Sequence, residues 1–300
     1  MNRACDPRFA MVTVAGRPNV GKSTLLNALI GYRLCITAPK PQTTRHRMLG
    51  VYSGERGQLG FIDTPGIHEQ QHKAINRALN RTARAAVDEG DLVLWVREAG
   101  IETDEDRHLG TWLLTLGKPL VIALNKIDRI GDKSKLLPEL AELQRRFRPL
   151  AVVPVSALRE QGIEALRKQL LDLAPPGPAR FAVDEVTDRS ERFLAAEHVR
   201  EQVVRLLHDE LPFQTTVEIE HFERVGNLLR LGAIIWVERE GQKGIVIGKD
   251  GAKLKLIGTR ARQSLEQLFG CKVHLETWVK LRENWTDDER ALKRFGLDAS

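Results

Sequence analysis

The sequence predicts an α/β chain: an open, mostly parallel sheet with helices on both faces, followed by a smaller α+β unit. Three observations carry that reading. In the first half, apolar runs of about four to six residues alternate with amphipathic stretches in the order β-α-β-β-α-β-α-β-α-β-α, the pattern of a sheet buried on both faces. Pro175-Pro176-Gly177-Pro178 then stops the last of these helices and marks a boundary. Beyond it the order changes to α-β-β-α-α-β. The predicted division is a first domain at residues 1–176, a linker at 177–190 and a second domain at 191–300.

Phe9 to Ala15 (FAMVTVA) reads as a buried strand, and Thr24 to Ile30 as the helix after it. Gly31 to His46 is polar and broken by Pro39 and Pro41, so it reads as a long loop, and such loops are usually functional or mobile. Met48 to Tyr52 and Gln58 to Ile62 are short strands joined by the turn Ser53-Gly54-Glu55-Arg56-Gly57. Helices are predicted over 70–87, 104–116, 136–147 and 161–173, with buried strands at 91–96, 120–124 and 151–155 between them. Phe181 to Ser190 is a charged connector with two open readings: Asp184 to Asp188 packs back on the first domain or stays loose. Ala196, Val199, Val203, Leu206 and Leu207 make a helical stripe within 193–211, ended by Pro212. Thr215 to Phe222 alternates like a half-exposed strand, and Leu228 to Glu238 is a more apolar one. Ile257, Ala261, Leu265 and Leu268 mark a further amphipathic helix, and Cys271 to Leu281 a third strand.

A chain of 300 residues, 42% hydrophobic and 29% charged, has the composition of a soluble globular protein with material for two cores. Its net charge of +6 favours a polyanionic partner, nucleic acid or an anionic membrane surface. Cys5, Cys35 and Cys271 lie far apart without metal-ligand spacing, which points to a reducing cytoplasm rather than a disulfide framework. MNRACDPRFA lacks the apolar core of a signal peptide. The apolar stretch Leu228 to Val237 carries Arg230 and is too short to span a bilayer, so membrane contact is expected to be peripheral.

The chemistry gathers where strands end. Gly16-Arg17-Pro18-Asn19-Val20-Gly21-Lys22-Ser23 has the spacing GxxxxGK[ST] between a strand and a helix. Its glycines let the backbone come close to a ligand, and successive N–H groups with the helix N-terminus form an anion cradle. Lys22 can reach β- and γ-phosphates, and the Ser23 hydroxyl can ligate Mg²⁺. Asp63, in Asp63-Thr64-Pro65-Gly66, ends a strand where a carboxylate can hold Mg²⁺, and Gly66 offers an N–H to the γ-phosphate. Asn125-Lys126-Ile127-Asp128 follows a buried strand. The Asp128 carboxylate can accept from guanine N1–H and N2–H₂, whereas adenine would leave it unpaired. The Lys126 stem can pack along the base, and Ser156-Ala157 can offer an N–H to the base oxygen.

Taken in order, GRPNVGKS, QTTRH, DTPG, NKID and SA resemble the GTP-binding domain of the translation-factor-related GTPases, over about the first 175 residues. The resemblance implies a GTP/GDP phosphate site at Arg17, Pro18, Asn19, Val20, Gly21, Lys22, Ser23, Thr24 and Gly66, and a guanine site at Asn125, Lys126, Asp128, Ser156 and Ala157. It implies Mg²⁺ at Ser23, Thr44 and Asp63, with Thr44 preferred to Thr43 as the threonine that closes on the metal. One departure matters. Ras-like GTPases orient the attacking water with a glutamine, and this chain has Ile67 there, as in the hydrophobic-substituted branch. Hydrolysis is therefore expected to be slow, with no assigned catalytic residue. A partner that orders the loops, a potassium ion with Asn19 as ligand, or His68 as general base are the readings left open.

In the second half, Gly248-Lys249-Asp250-Gly251 lies in IVIGKDG, before a basic amphipathic helix. A glycine-flanked turn lets a nucleic-acid backbone approach the loop amides, and Lys243, Lys249, Lys253, Lys255, Arg260 and Arg262 add positive potential. This resembles a type II KH domain, a binder of single-stranded RNA that clamps about four nucleotides. The expected RNA contacts are Lys243, Gly248, Lys249, Asp250, Gly251, Lys253 and Arg260. Ile245, Val246 and Ile247 are read either as helix core or as groove lining. A phosphate-loop GTPase domain followed by a type II KH domain resembles, over essentially the whole chain, the Era family of GTPases. That resemblance implies binding near the 3′ end of 16S ribosomal RNA, a role in small (30S) subunit assembly, and peripheral association with the inner face of the cell membrane. A metabolic kinase would need an acceptor pocket with its own acid-base groups, and a membrane or cytoskeletal GTPase an anchor or coiled coil. The sequence offers neither.

Overall fold

The computed structural model describes residues 7–38, 40, 43–65, 74–207 and 211–297. The chain forms two compact units. Met1–Cys35, Thr44–Glu69 and Leu79–Asp188 make the first, and Ile36–Thr43, Gln70–Ala78 and Arg189–Ser300 the second.

The first unit is built on strands β1 (Arg8–Ala15), β2 (Met48–Gly54), β3 (Gly57–Asp63), β4 (Leu92–Glu98), β5 (Leu120–Asn125) and β6 (Ala151–Pro154), in the order β2-β3-β1-β4-β5-β6. Every pairing is parallel except β2 with β3. Each residue of β4 is buried, its apolar run Leu92 to Val96 as a strand covered on both faces requires, and Arg97 and Glu98 at its end as well. Helices α1 (Lys22–Ile30) and α5 (Ile163–Leu173) lie together on one face. α2 (Ala74–Glu89) sets Ala86 on Leu49, Val51 and Ile62. α3 (Asp104–Thr115) and α4 (Leu136–Phe147) pack on Trp95, Ile122 and Leu124. There the Trp95 and Phe147 rings meet edge-to-face at 4.9 Å, an arrangement that aromatic quadrupoles favour. α3 starts at a capping box: Thr103 Oγ1 accepts from the Asp106 amide at 3.2 Å, and Asp106 accepts from the Thr103 amide.

The connector packs back on the first unit. Pro175 O accepts from Phe9 N at 3.2 Å and Val186 O from Val51 N at 2.8 Å. The Gln58 carbonyl oxygen takes the amides of Arg180 and Phe181, each at 3.0 Å.

The second unit runs α6 (Glu191–Leu206), β7 (Thr215–Val225), β8 (Leu228–Val237), α7 (Glu240–Ile247), α8 (Ala252–Phe269), β9 (Lys272–Leu281) and α9 (Glu289–Arg294). Its sheet has the order β7-β8-β9, antiparallel then parallel. Val199 and Val203 of α6 and Ile257, Ala261 and Leu265 of α8 bury against Leu229, Leu231 and Ile235 of β8. Two expectations need correction. The first helix ends at Leu206 rather than 211, because Leu207 turns extended and buries fully in this core; Pro212 sits in a 3₁₀ turn. The helix α9 was not foreseen. Asp288 caps it, and Trp285 and Phe295 stack edge-to-face across it at 5.4 Å.

Candidate nucleotide site and nucleic-acid loop

The strand order reverses at β1, whose neighbours are β3 and β4, and an open α/β sheet binds ligands in the crevice that such a reversal leaves at the strands' carboxyl ends. The loop from Gly16 to Gly21 spans that crevice. Gly21 has φ +98°, and a Cβ there would stand 2.5 Å from Asn125 Nδ2, so only glycine fits. Val20 is fully buried and anchors the loop, Asn19 is exposed at φ 63°, and Pro18 and Thr24 are half-buried. Lys22 Nζ donates to Gly16 O at 2.9 Å and Arg17 O at 3.0 Å. Burial pulls its pKa down to about 8 although Asp63 opposes the shift. Phosphate oxygens would supply the counter-charge that this buried ammonium lacks.

Three oxygens converge next to it. Ser23 Oγ lies 2.8 Å from Thr44 Oγ1 and donates to Asp63 Oδ2 at 2.8 Å, while Thr44 Oγ1 reaches the same oxygen at 3.4 Å. Asp63 is fully buried, burial pushes its pKa up, and Oδ1 has no hydrogen-bond partner among the described residues. An orphaned carboxylate oxygen beside two hydroxyls fits a hard divalent cation that completes its shell with phosphate oxygens and water, as Mg²⁺ does. Thr43 turns elsewhere, its hydroxyl donating to Lys40 O at 2.7 Å. Gly66, Ile67 and His68 lie outside the described residues.

The residues expected to read the base are tied to the phosphate loop. Asn125, buried at the end of β5, donates from Nδ2 to Val20 O at 2.8 Å and accepts the Ala157 amide on Oδ1 at 3.0 Å. Ser156 Oγ donates to Asp128 Oδ1, and this hydrogen bond is the main reason that the Asp128 carboxyl sits below the usual range. Lys126 adopts φ 64° and extends its ammonium to Glu98 Oε2 at 2.7 Å.

The Arg17 side chain pairs with Asp106 at 3.1 Å and Glu98 at 3.4 Å. Sequence reasoning missed Glu98 and Asp106. The signal for Glu98 was present: an acid closes the apolar run LVLWVRE, where β4 ends between the two nucleotide loops. Asn27 was missed too. Its side chain brackets Cys35 through two 2.8 Å bonds, fixing the start of the long loop.

In the second unit, Gly248 leaves α7 with φ +74°, where a Cβ would stand 2.7 Å from Lys253 Cβ. Lys249–Gly251 form a 3₁₀ turn into α8, with Lys249, Asp250, Lys255 and Arg260 exposed and Lys243 and Lys253 half-buried. Of the apolar trio, Val246 is fully buried, Ile247 packs on the core, and Ile245 stays 49% exposed, with Leu256 of α8 exposed as well. Val246 is thus helix core, whereas the Ile245 side chain is open to solvent.

A family model described as a 50S ribosome-binding GTPase matches residues 11–126, and a KH-domain model matches 210–286. GTPase Era of Xanthomonas campestris (strain B100) is 53% identical over 298 residues, covering 99% of this chain and 100% of that protein. The chain belongs to the Era family of GTPases. Era of Stenotrophomonas maltophilia (strain K279a) is 54% identical over 96% of each chain. The structure of a point variant of Aquifex aeolicus Era bound to GDP·AlF₄⁻ superposes with a TM-score of 0.93 at 36% identity, covering 97% of this chain and 100% of that one. An Era complex with MgGDPNP and nucleotides 1506–1542 of 16S ribosomal RNA matches equally well, with a TM-score of 0.93 at 36% identity over 98% of this chain. This Era-family chain is thus a mostly parallel-sheet GTPase fold followed by a KH fold. Among its described residues, no helix is long and apolar enough to cross a membrane.

Proposed function

We propose that the chain binds GTP and GDP with Mg²⁺, hydrolyses GTP slowly, and acts in 30S subunit assembly and 16S rRNA maturation, docking near the rRNA 3′ end through its KH domain. The observation that carries the nucleotide half is the Ser23–Thr44–Asp63 cluster beside a phosphate loop that Asn125 ties to the Asn125–Asp128 loop. The RNA half rests on the exposed Lys249–Asp250 turn and on the relative solved with 16S rRNA nucleotides 1506–1542. Mg²⁺ would be held by Ser23, Thr44 and Asp63, and would neutralise charge on the phosphates; Lys22 and the loop amides orient them. The lack of a water-orienting glutamine at Ile67 makes the chain a slow timer. Either a potassium ion held by Asn19 or a partner that orders the loops completes the site. The working place is the cytoplasm, with peripheral contact at the inner membrane face.

The nucleotide state is proposed to govern RNA binding. In support, both segments that lead away from the metal cluster are held inside the second unit. Buried Glu201 of α6 accepts from Thr37 N at 3.2 Å, and Arg200 donates to Thr43 O at 2.5 Å, one residue before Thr44. At the other segment, the Ala74 amide donates to Asp287 Oδ1 at 3.0 Å.

The test uses one preparation. Replacing Lys249 and Asp250 by alanine is expected to weaken binding of a 16S 3′-end fragment by about tenfold or more and to lower the salt slope by about one, while GTP hydrolysis stays intact. Unchanged RNA affinity would remove the KH loop from the proposal. Equal hydrolysis in sodium and potassium buffers would leave the partner as the trigger.

A further inference from the structure

Glu98 closes β4 between the phosphate loop and the base loop, and its carboxylate serves both. Oε2 takes Lys126 Nζ at 2.7 Å and Arg17 Nη2 at 3.4 Å, and Oε1 takes Arg129 Nη1 at 3.0 Å. The Glu98 side chain is 8% exposed, against 19% for Lys126, 14% for Arg17 and 65% for Arg129. The Arg129 pair is therefore screened by water and holds little. The pairs with Lys126 and Arg17 are not.

We infer that Glu98 is a positioning residue that locks the base loop to the phosphate loop, so that base and phosphates are gripped as one unit. The inference deepens, and rests on, the guanine-nucleotide reading of this site. Its physical content is as follows. Lys126 can lay its aliphatic stem along a base only if its ammonium is anchored beyond the base edge, and Glu98 is the one partner of that ammonium among the described residues. Lys126 also holds a left-handed backbone that a non-glycine residue keeps only when its surroundings enforce it. At the other end, Arg17 supplies one of the two carbonyls that hold Lys22 Nζ. Fixing the Arg17 side chain fixes the orientation of that peptide. Asp106, fully buried, is the second anchor: its Oδ2 takes Arg17 Nε at 3.1 Å as well as the Thr103 amide and hydroxyl. One acid thus reaches both loops, and the other secures Arg17 to the start of α3. With a single carboxylate between them, weakening either loop's hold weakens the other.

The test is a double-substitution cycle on nucleotide affinity in the full chain. Glu98→Gln keeps the shape but removes the charge and turns one of the two acceptor oxygens into a donor. It is expected to raise Kd for GTP and for GDP by the same factor, about tenfold or more. Lys126→Met, which keeps the aliphatic stem and removes the ammonium, is expected to raise Kd as well, and the double variant to be scarcely weaker than Glu98→Gln, which already breaks that link. A purely structural role for Glu98 would give losses that multiply. Multiplying losses, or wild-type affinity in Glu98→Gln, would overturn the inference. If Glu98→Gln does not fold, the cycle of Arg17→Ala with Lys126→Met carries the test. Coupled losses support the link through Glu98, and independent losses overturn it. A wild-type chain that fails to bind guanine nucleotides would instead sink the reading of the site itself.

Discussion

On the proposed reading of the site, Asp128 carries the choice of base. Ser156 holds its carboxyl ionised, and an ionised carboxylate suits the two N–H donors of guanine. Asp128→Asn swaps an acceptor for a donor, so preference should move from GTP toward xanthosine triphosphate by about a hundredfold or more in the affinity ratio. Competition binding with the two nucleotides checks this, and an unchanged ratio would contradict it. The pH sign follows from the depressed pKa. A carboxylate held below its unfolded value stays charged until the pH falls through the lowered one, so the GTP-over-ATP preference should be flat from about pH 8 down to about pH 5. A preference already failing at the lower end of that range would place base reading on another group. The motifs that the structure brings together, the cradle with Asn125 and Asp128 with Ser156, were legible in the sequence because they are short and local. Glu98 and Asp106 were not, because each acts on a residue distant along the chain, and Asn27 was not, because the loop that it fixes at Cys35 has no repeating pattern. Only the sheet order that sets β4 beside β1 brings Glu98 to Arg17.

At the scale of elements, β4, β5 and the amphipathic helices of the first unit announced themselves by period and length. The misreadings fall where tertiary packing overrides local pattern. A stripe through Leu207 suggested a longer helix, yet Leu207 leaves it to fill the core. Six residues of α9 carry too short a pattern to stand out, although Asp288 before it and Gly296 after it are ordinary cap residues. α6 is the element whose sequence least explains itself. Glu197, His198, Arg200, Glu201 and Gln202 are all buried on it. Burial of so many polar side chains is costly unless each is bonded. Glu197 pairs with Arg200 through two bonds of 2.6 and 2.7 Å, His198 meets Ser264 at 2.8 Å, and Glu201 and Arg200 turn to Thr37 and Thr43. α6 is therefore both a core helix and the clamp on the segment that precedes Thr44. Arg200→Gln should leave GTP affinity within about threefold of wild type, since it touches no nucleotide-site residue, but should blunt the influence of nucleotide on RNA affinity. Titrations of both ligands check this. Full nucleotide dependence in the variant would take α6 out of the path.

At the scale of the molecule, the chain joins a GTPase fold to a KH fold, and the proposed function pairs a slowly turning nucleotide site on the first with a glycine-flanked, lysine-bearing loop on the second. The central claim is that the first controls the second, and reciprocity requires that RNA then alter nucleotide affinity by the same factor. The most direct measurement is the affinity for one 16S 3′-end RNA fragment, at fixed salt, with Mg²⁺ and a non-hydrolysable GTP analogue, with Mg²⁺ and GDP, and with no nucleotide. The account predicts tightest binding with the GTP analogue, by about fivefold or more over GDP. Equal affinity in all three states would contradict it.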